Sequence, residues 1–279
     1  MELGTYLYLT LYLSSAVPVF VAWRYHRRSS LAHALHWTIA AWLSWALVLT
    51  GEAGAWLRPG GALRFVALCL VGCAGVAVLG ARRPGAVAWN FVVLGLLAVL
   101  LLFWAEGLLA SGTIHLGGIR LLFLAGTLGV GILNYLPTRL GLGAMLLATA
   151  CGLELWSWAE PVTRWEARQF VSACLLALAP WTAWLSLRWR APAMSAFDGL
   201  WWDFRDGYGL VWGQRLREQF NNAARHAGLP VELRWHGLQA TSGTNPDGAT
   251  HDASLRTLHA LLKRFGLLHE VAGEPDREA

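Results

Sequence analysis

The chain has 279 residues, of which 56% are hydrophobic and only 14% are charged, and its formal net charge is +5. These values are typical of a polytopic membrane protein and exclude an ordinary water-soluble domain. The positive charge belongs to the apolar part of the chain, because eleven acidic residues face nine basic ones beyond Arg190. We therefore expect no nucleic acid among the partners.

Seven apolar stretches fill residues 1–189, and each is close to the length of about 20 residues that crosses a bilayer. Such segments are helical, because a helix satisfies its own backbone hydrogen bonds. The sequence predicts an all-α polytopic membrane protein with seven transmembrane helices. The predicted spans are 4–23, 31–50, 65–81, 86–105, 121–136, 140–158 and 169–187.

Charged residues around these stretches predict the orientation. No basic residue precedes the first stretch, whereas Arg24, Arg27 and Arg28 follow it, which is the reverse of a cleavable signal peptide. With the N-terminus outside, eight arginines fall on the cytoplasmic side and five outside, as the positive-inside rule requires. We expect an inner-membrane protein with its N-terminus outside and its C-terminus in the cytoplasm.

Two carboxylates lie in the outer halves of predicted spans. Glu106 ends the fourth span and Glu154 lies within the sixth. A charge in hydrocarbon costs about 2.5 to 3.5 kcal/mol on insertion scales, so each needs a partner or a role. The functional hypothesis is an ion or proton site, and the alternative is pairing with an outer arginine. The candidates for that pairing are Arg58, Arg64, Arg120, Arg164 and Arg168.

His33 and His36, near the inner end of the second span, are weak candidates for a metal site. A haem held by two histidines usually draws one from each of two facing helices, and no other span supplies the second. All four cysteines fall inside predicted spans without a C-x-x-C pair, which is typical of buried small hydrophobic residues. The sequence predicts no cofactor and no metal.

Between the fifth and sixth spans, Asn134 precedes a short run that we interpret as a tight cytoplasmic turn, which Asn134 is expected to cap. Small residues predict that these two helices pack closely against each other. They are Gly126, Gly129, Gly131, Gly141, Gly143, Ala144 and Ala148.

Residues 190–279 are predicted to form a small α+β cytoplasmic domain. Aromatic residues recur at helical spacing from Phe197 to Tyr208, Gly207 and Gly209 interrupt that pattern, and a second stripe starts at Trp212. We predict two amphipathic helices, and the aromatic face of the first is suited to the inner membrane interface.

A small strand-helix-strand unit is predicted after these helices. Alternation predicts a strand over 231–235, and residues 237–248 are rich in turn residues. A helix follows, capped by Thr250 or Asp252 and ended by Gly266, and a second strand is expected over 267–271.

The first functional hypothesis is a non-enzymatic accessory or assembly subunit. Aromatic residues and arginine dominate the energetics of protein interfaces, so we expect the tail to dock another membrane or cytoplasmic protein. A self-packed small domain would show the same residues. The expected contacts are Trp201, Phe204, Arg205, Trp212, Arg215 and Phe220.

Two other functions stay open. The second hypothesis is a small-solute or ion permease that uses Glu154 and Glu106, and the third is a membrane-embedded enzyme in which the outer acids and His115 converge. The sequence contains no motif for nucleotide hydrolysis, zinc proteolysis or serine hydrolysis, so it assigns no catalytic residue.

Overall fold

The computed structural model describes residues 3–57, 61–82, 85–111, 117–159, 165–189, 195–241 and 247–266. Within these ranges the chain is mostly helical, and a two-stranded sheet lies near the C-terminus. The described residues contain six candidate spans, which are helical segments long and apolar enough to cross a membrane. The structure therefore has the helical class that the composition predicts, and its apolar helices are consistent with a multi-pass membrane protein.

The bundle consists of eight described helices. The first two run as one candidate span, Tyr6–His26, with a break in the helix at Ser15. The helix bounds are α1 Leu3–Ser14, α2 Ala16–His26, α3 Ala32–Ala53, α4 Ala62–Leu79, α5 Ala86–Ser111, α6 Gly118–Tyr135, α7 Gly141–Ala159 and α8 Trp165–Arg188.

Helix α7 corresponds to the predicted sixth span, yet it is not one of the six candidate spans. Its length is 19 residues. In the bundle it packs against both α6 and α8. The count of seven spans stays a prediction.

Helix α4 lies at the centre of the bundle, in contact with α3, α5 and α6. Its side chains from Phe65 to Cys69 are almost all buried, and so is Cys73. Helix α5, by contrast, contacts mainly α4 and exposes a broad apolar face that includes Phe91 and Val92. Lipid tails are as apolar as such side chains, so this face is suited to the bilayer.

Glycines set the distance between α4 and α6. A Cβ atom placed on Gly75 would lie 2.7 Å from the Cα of Gly131, so the two backbones touch where neither residue has a side chain. Gly143 faces α8 instead, because a Cβ atom placed on it would lie 3.0 Å from the carbonyl oxygen of Ala179. Helices α6 and α7 do contact each other as expected, but Gly131 faces α4 and Gly143 faces α8, so these two glycines do not form that contact.

The tail, which we define as the described residues between 195 and 266, begins with a long helix, α9 (Ala196–His226). Ser195 caps its N-terminus by accepting a hydrogen bond from the backbone N–H of Asp198. The helix is broken at Gly209, whose φ of 78° and ψ of −167° are not helical, whereas Gly207 stays in the helix. The two predicted amphipathic helices are therefore the two halves of α9.

The rest of the tail is a β-hairpin followed by a helix. Strand β1 (Val231–Arg234) pairs antiparallel with β2 (Gly237–Ala240). Strand β2 lies within the stretch 237–248 that the sequence predicts to be a loop. Helix α10 (Gly248–Leu262) continues into a 3₁₀ turn, Lys263–Phe265, and ends at Gly266 with φ 74°. The strand expected over 267–271 lies outside the described residues.

Helix α10 begins earlier than the sequence predicts. Its N-cap is Asp247, whose side chain accepts a hydrogen bond from the backbone N–H of Thr250 at 2.9 Å. Thr250 is therefore the third helical residue, and Asp252 also lies inside the helix. Either residue has the right chemistry for a cap, but Asp247 precedes both and satisfies the free N–H groups first.

Candidate functional site

Polar groups are buried at both ends of the bundle. We call the end that contacts the tail the tail end, which holds the connections after α2, α4 and α6, and the opposite end the far end. The far end contains a cluster of acidic and basic side chains, and the tail end contains a network of hydrogen bonds between the bundle and the tail. The two arrangements are described in turn.

A buried ion cluster joins four helices at the far end. Arg64 of α4 donates from Nε and Nη2 to the two oxygens of Glu52 on α3, at 2.7 and 2.6 Å. Its Nη1 donates to Oε1 of Glu154 on α7 at 2.7 Å, and Ser172 of α8 donates to the same oxygen at 2.7 Å. The side chains of Arg64, Glu52 and Glu154 are only 3, 9 and 4% exposed. We call these four residues the far-end cluster.

The cluster contains one cation and two carboxylates. The bidentate geometry makes the contact between Arg64 and Glu52 the more specific one, and Glu154 is a second carboxylate on the same guanidinium. The guanidinium carbon also lies 5.6 Å from the centre of the Trp45 ring, which favours a cation there. Loss of Arg64 would leave two buried carboxylates without their counter-ion, so the arginine is essential to the cluster.

Both candidate carboxylates are paired with an outer arginine. This is the alternative to an ion site that the sequence leaves open. Glu154 pairs with Arg64 in the far-end cluster. Glu106 pairs with Arg120 at 2.7 Å, and these two side chains are 49 and 35% exposed. Glu106 therefore belongs to a separate surface pair. An exposed pair of this kind contributes about 0 to 1 kcal/mol.

At the tail end, Asn134 of α6 holds the break in α9. Its Nδ2 donates to the carbonyl oxygen of Tyr208 at 3.2 Å, and its Oδ1 accepts from the backbone N–H of Val211 at 3.0 Å. Its neighbour Tyr135 donates to the carbonyl oxygen of Gly207 at 2.9 Å. The break frees backbone groups on both sides of Gly209, and α6 supplies partners for them.

The sequence predicts that Asn134 caps the turn between α6 and α7, and this prediction is wrong. Thr138 performs that role, because its hydroxyl donates to the carbonyl oxygen of Tyr135 and accepts from the backbone N–H of Leu140. Asn134 is 2% exposed, and its side chain forms hydrogen bonds to Tyr208 and Val211 of the tail. The sequence signal for Asn134 is that it is polar within an apolar run, but its hydrogen-bond partners, Tyr208 and Val211, are more than 70 residues away.

Two further places at the tail end of the bundle bond to the tail. Ser30, between α2 and α3, donates to the carbonyl oxygen of Ala81 at 2.9 Å and lies 3.0 Å from the hydroxyl of Tyr208. The Ser30 backbone N–H donates to the carbonyl oxygen of Phe265 at 3.0 Å. Trp212 donates from Nε1 to the carbonyl oxygen of Val78 at 3.1 Å. The tail is thus bonded to the ends of three helical hairpins.

Charged groups complete this network beside the turn after α6. Asp206 accepts from Arg205 at 2.8 Å and lies 3.8 Å from Arg139. Arg205 also donates to the carbonyl oxygen of Trp235, and Trp235 donates to the carbonyl oxygen of Pro137, both at 2.9 Å. We call the set of contacts between the tail and these connections the tail junction.

The aromatic stripe of α9 is buried inside the tail and at the tail junction. Phe204 stacks on Tyr208, with ring centres 4.7 Å apart, and Phe265 of the 3₁₀ turn packs edge-on against both. Phe197 packs edge-on against Phe220 from the other half of α9. These rings belong to the same buried cluster as the core of the bundle, so the tail and the bundle share one core.

Five of the six expected partner contacts are therefore not available to a partner. Trp201, Phe204 and Phe220 are 0% exposed, and Trp212 and Arg205 are 7 and 5% exposed. The expectation of an exposed aromatic surface, and of a first helix lying on the membrane, is wrong, because the stripe is the core of the tail itself. Arg215 is exposed, with its guanidinium 5.2 Å from the ring centre of Trp212.

The two candidate metal ligands do not form a site with other ligating residues. His33 lies 3.0 Å from the side-chain nitrogen of Asn90, whose oxygen accepts from Trp37, and His36 is exposed. Within the described ranges, no group of three or more His, Cys, Asp or Glu residues has a geometry that would hold a metal ion. The four cysteines are free thiols at buried or half-buried positions.

Several residues of both sites escape sequence reasoning. Ser172 and Ser30 have no distinguishing pattern, since serines are common in membrane helices and turns. Arg64 precedes a predicted span, but nothing in the sequence separates it from the four other outer arginines. Hydrogen-bond partners across helices depend on how each helix is rotated, and periodicity alone does not determine that rotation.

No family model, no curated protein and no solved structure matches the chain. The argument for a function therefore rests on the contacts described above.

Proposed function

We propose that the chain is a non-enzymatic accessory or assembly subunit of the inner membrane, with its N-terminus outside and its tail in the cytoplasm. In this proposal the bundle has seven spans, including α7, and the tail presents a fixed surface to a partner protein. The arginine distribution supports the orientation, because the tail end carries the larger number of arginines.

The observation that carries the proposal is the tail junction. Side chains of Asn134 and Tyr135 bond to the backbone of α9 on both sides of its break. Contacts from Ser30 and Trp212 bond the tail to the connection after α2 and to the last turn of α4. A tail that is held at three places has a defined orientation relative to the membrane, which is what an assembly subunit needs and what a flexible tether does not provide.

The polar face of the second half of α9 is the surface that we assign to the partner. Its residues recur at helical spacing and are exposed, while Trp212, Leu216 and Phe220 on the opposite face are buried. A rigid helix presents its side chains without an ordering cost on binding. The face consists of Arg215, Glu218, Gln219, Asn222 and Arg225.

The test is copurification from the native membrane. The chain carries a C-terminal tag, is extracted in mild detergent, and its stoichiometric partners are identified by mass spectrometry. We expect one defined partner, whose recovery falls at least tenfold in Arg215→Glu. Arg256→Glu reverses the charge of another exposed arginine, on α10, and is the matched control. Recovery that is equal in both variants, or an absence of any stoichiometric partner, would overturn the proposal.

The second candidate function is a small-solute or ion permease. The specific observation in its favour is that the far-end cluster holds two buried carboxylates and one arginine. Ionisable groups inside a membrane are functional candidates by default. Glu154→Gln in proteoliposomes tests it, with Glu106→Gln as the control for a carboxylate in an exposed pair. A flux that survives Glu154→Gln rejects the role of that residue.

A membrane-embedded enzyme remains the third hypothesis. His115 and Glu160 lie outside the described residues, and so does the side chain of Glu166. The described outer acids are held in ion pairs with arginines, which leaves the first two hypotheses better supported.

A further inference from the structure

A cavity of about 460 Å³ lies where the first candidate span ends, at the tail end of the bundle. Its described lining comes from the last two turns of α2 and the residues that follow. The lining residues are Phe20, Val21, Arg24, Tyr25, Arg27 and Arg28. The cavity is separate from both the far-end cluster and the tail junction.

The lining is cationic on one side and apolar on the other. Three of the six residues are arginines and none is acidic. Guanidinium groups match the geometry of phosphate oxygens through paired N–H donors, so the charged side is suited to a phosphate.

The apolar side continues along the outer face of the same span. Leu13, Val17 and Phe20 recur at spacings of four and three, and their side chains are 42, 51 and 56% exposed. Arg24 and Arg27 continue this series, and both are exposed. Arg24 lies seven positions after Val17, which is a rise of about 10 Å along the helix. An exposed apolar strip therefore leads directly to a group of arginines.

We propose that this surface binds one anionic phospholipid, with the phosphate held by Arg24 and Arg27 and an acyl chain along Phe20 and Val17. Both parts of the ligand have a matching part of the surface, in the order that a lipid in a bilayer requires. A zwitterionic lipid carries an ammonium group that Arg24 and Arg27 repel. Basic pockets next to a span bind anionic headgroups for the same reason. A free phosphate would use only the arginines.

The experiment uses the full-length chain in nanodiscs and measures retained lipid by native mass spectrometry after transfer to detergent. The probes are phosphatidylglycerol and phosphatidylcholine in equal amounts. We expect phosphatidylglycerol to be retained at least tenfold over phosphatidylcholine, and that preference to disappear in the double variant Arg24→Gln, Arg27→Gln. Arg256→Gln, at an exposed tail position, is the matched control and should retain the preference.

Further variants separate the possible ligands. Arg24→Lys with Arg27→Lys keeps the charge but removes the planar donors, and should show an intermediate preference. Phe20→Ser with Val17→Ser should reduce lipid retention while leaving the binding of inorganic phosphate unchanged. Displacement of phosphatidylglycerol by millimolar inorganic phosphate would show a phosphate site and overturn the lipid assignment. Equal retention of the two lipids, or wild-type retention in the Arg24→Gln, Arg27→Gln variant, would also overturn it.

Discussion

Gly209→Ala should break the hydrogen bonds that Asn134 makes to α9 at the tail junction. The native φ of 78° with ψ of −167° is a conformation that essentially only glycine adopts, and a side chain there costs about 1 to 3 kcal/mol. An added Cβ would also meet the side-chain nitrogen of Asn134 and lie 2.7 Å from its carbonyl oxygen. A carbonyl of a packed helix has little room to move away, so the strain and the clash add.

The displaced Asn134 would lose its bonds to Tyr208 and Val211, and a typical hydrogen bond is worth about 1 kcal/mol. Together these effects amount to about 3 to 5 kcal/mol, the sum of the strain and the two bonds. Hydrogen–deuterium exchange of the full-length protein in detergent measures this directly at the N–H of Val211. Its protection should fall by about 100-fold or more, at one factor of ten for each 1.4 kcal/mol.

Two glycines of the same tail are matched controls. Gly228 also has a positive φ, 66°, but nothing lies within 4 Å of an added Cβ, so Gly228→Ala should show only the conformational strain. Gly207 is helical and its nearest contact would be at 3.4 Å, so Gly207→Ala should be close to neutral. If Gly209→Ala exposes the Val211 amide no more than Gly228→Ala does, Asn134 does not hold the break as we argue.

Three further predictions concern the bundle and α10. Arg64→Met should lower the stability by about 3 to 5 kcal/mol, because it leaves two buried carboxylates without a counter-ion. Glu154→Gln keeps the bidentate pair of Arg64 with Glu52 and should cost far less. Equal losses of thermal stability in detergent would contradict this. Gly75→Ala should destabilise the contact of α4 with α6 by about 1 to 3 kcal/mol, while Gly126→Ala, which meets nothing within 4 Å, should be neutral in the same melting assay. The hydrogen bonds from Thr250 lower the pKa of Asp247, so the cap is fully formed above the ordinary carboxyl pKa and is lost as pH falls through the lowered value. Amide exchange at the start of α10 should therefore rise in acid. Asp247→Asn caps the helix without titrating and should remove that pH dependence.

The sequence alone determined the features that depend on local patterns. A bilayer demands long apolar helices, so composition and hydropathy were enough to establish the helical membrane class. Glycine is the residue that tolerates a positive φ, and the break in α9 and the end after the 3₁₀ turn lie at Gly209 and Gly266 as predicted. The aromatic stripe of α9 was also visible as a periodic pattern.

Only the tertiary structure decided what those residues contact. Nothing in the spacing pairs Glu154 with Arg64, 90 residues away, or gives Asn134 its bonds to the tail. Periodicity shows that Trp201 and Phe204 share a face, but the same face would suit a membrane surface, a partner or a core. Rotation and packing of the helices made it a core, because a stripe is buried by whichever neighbour the whole fold places against it.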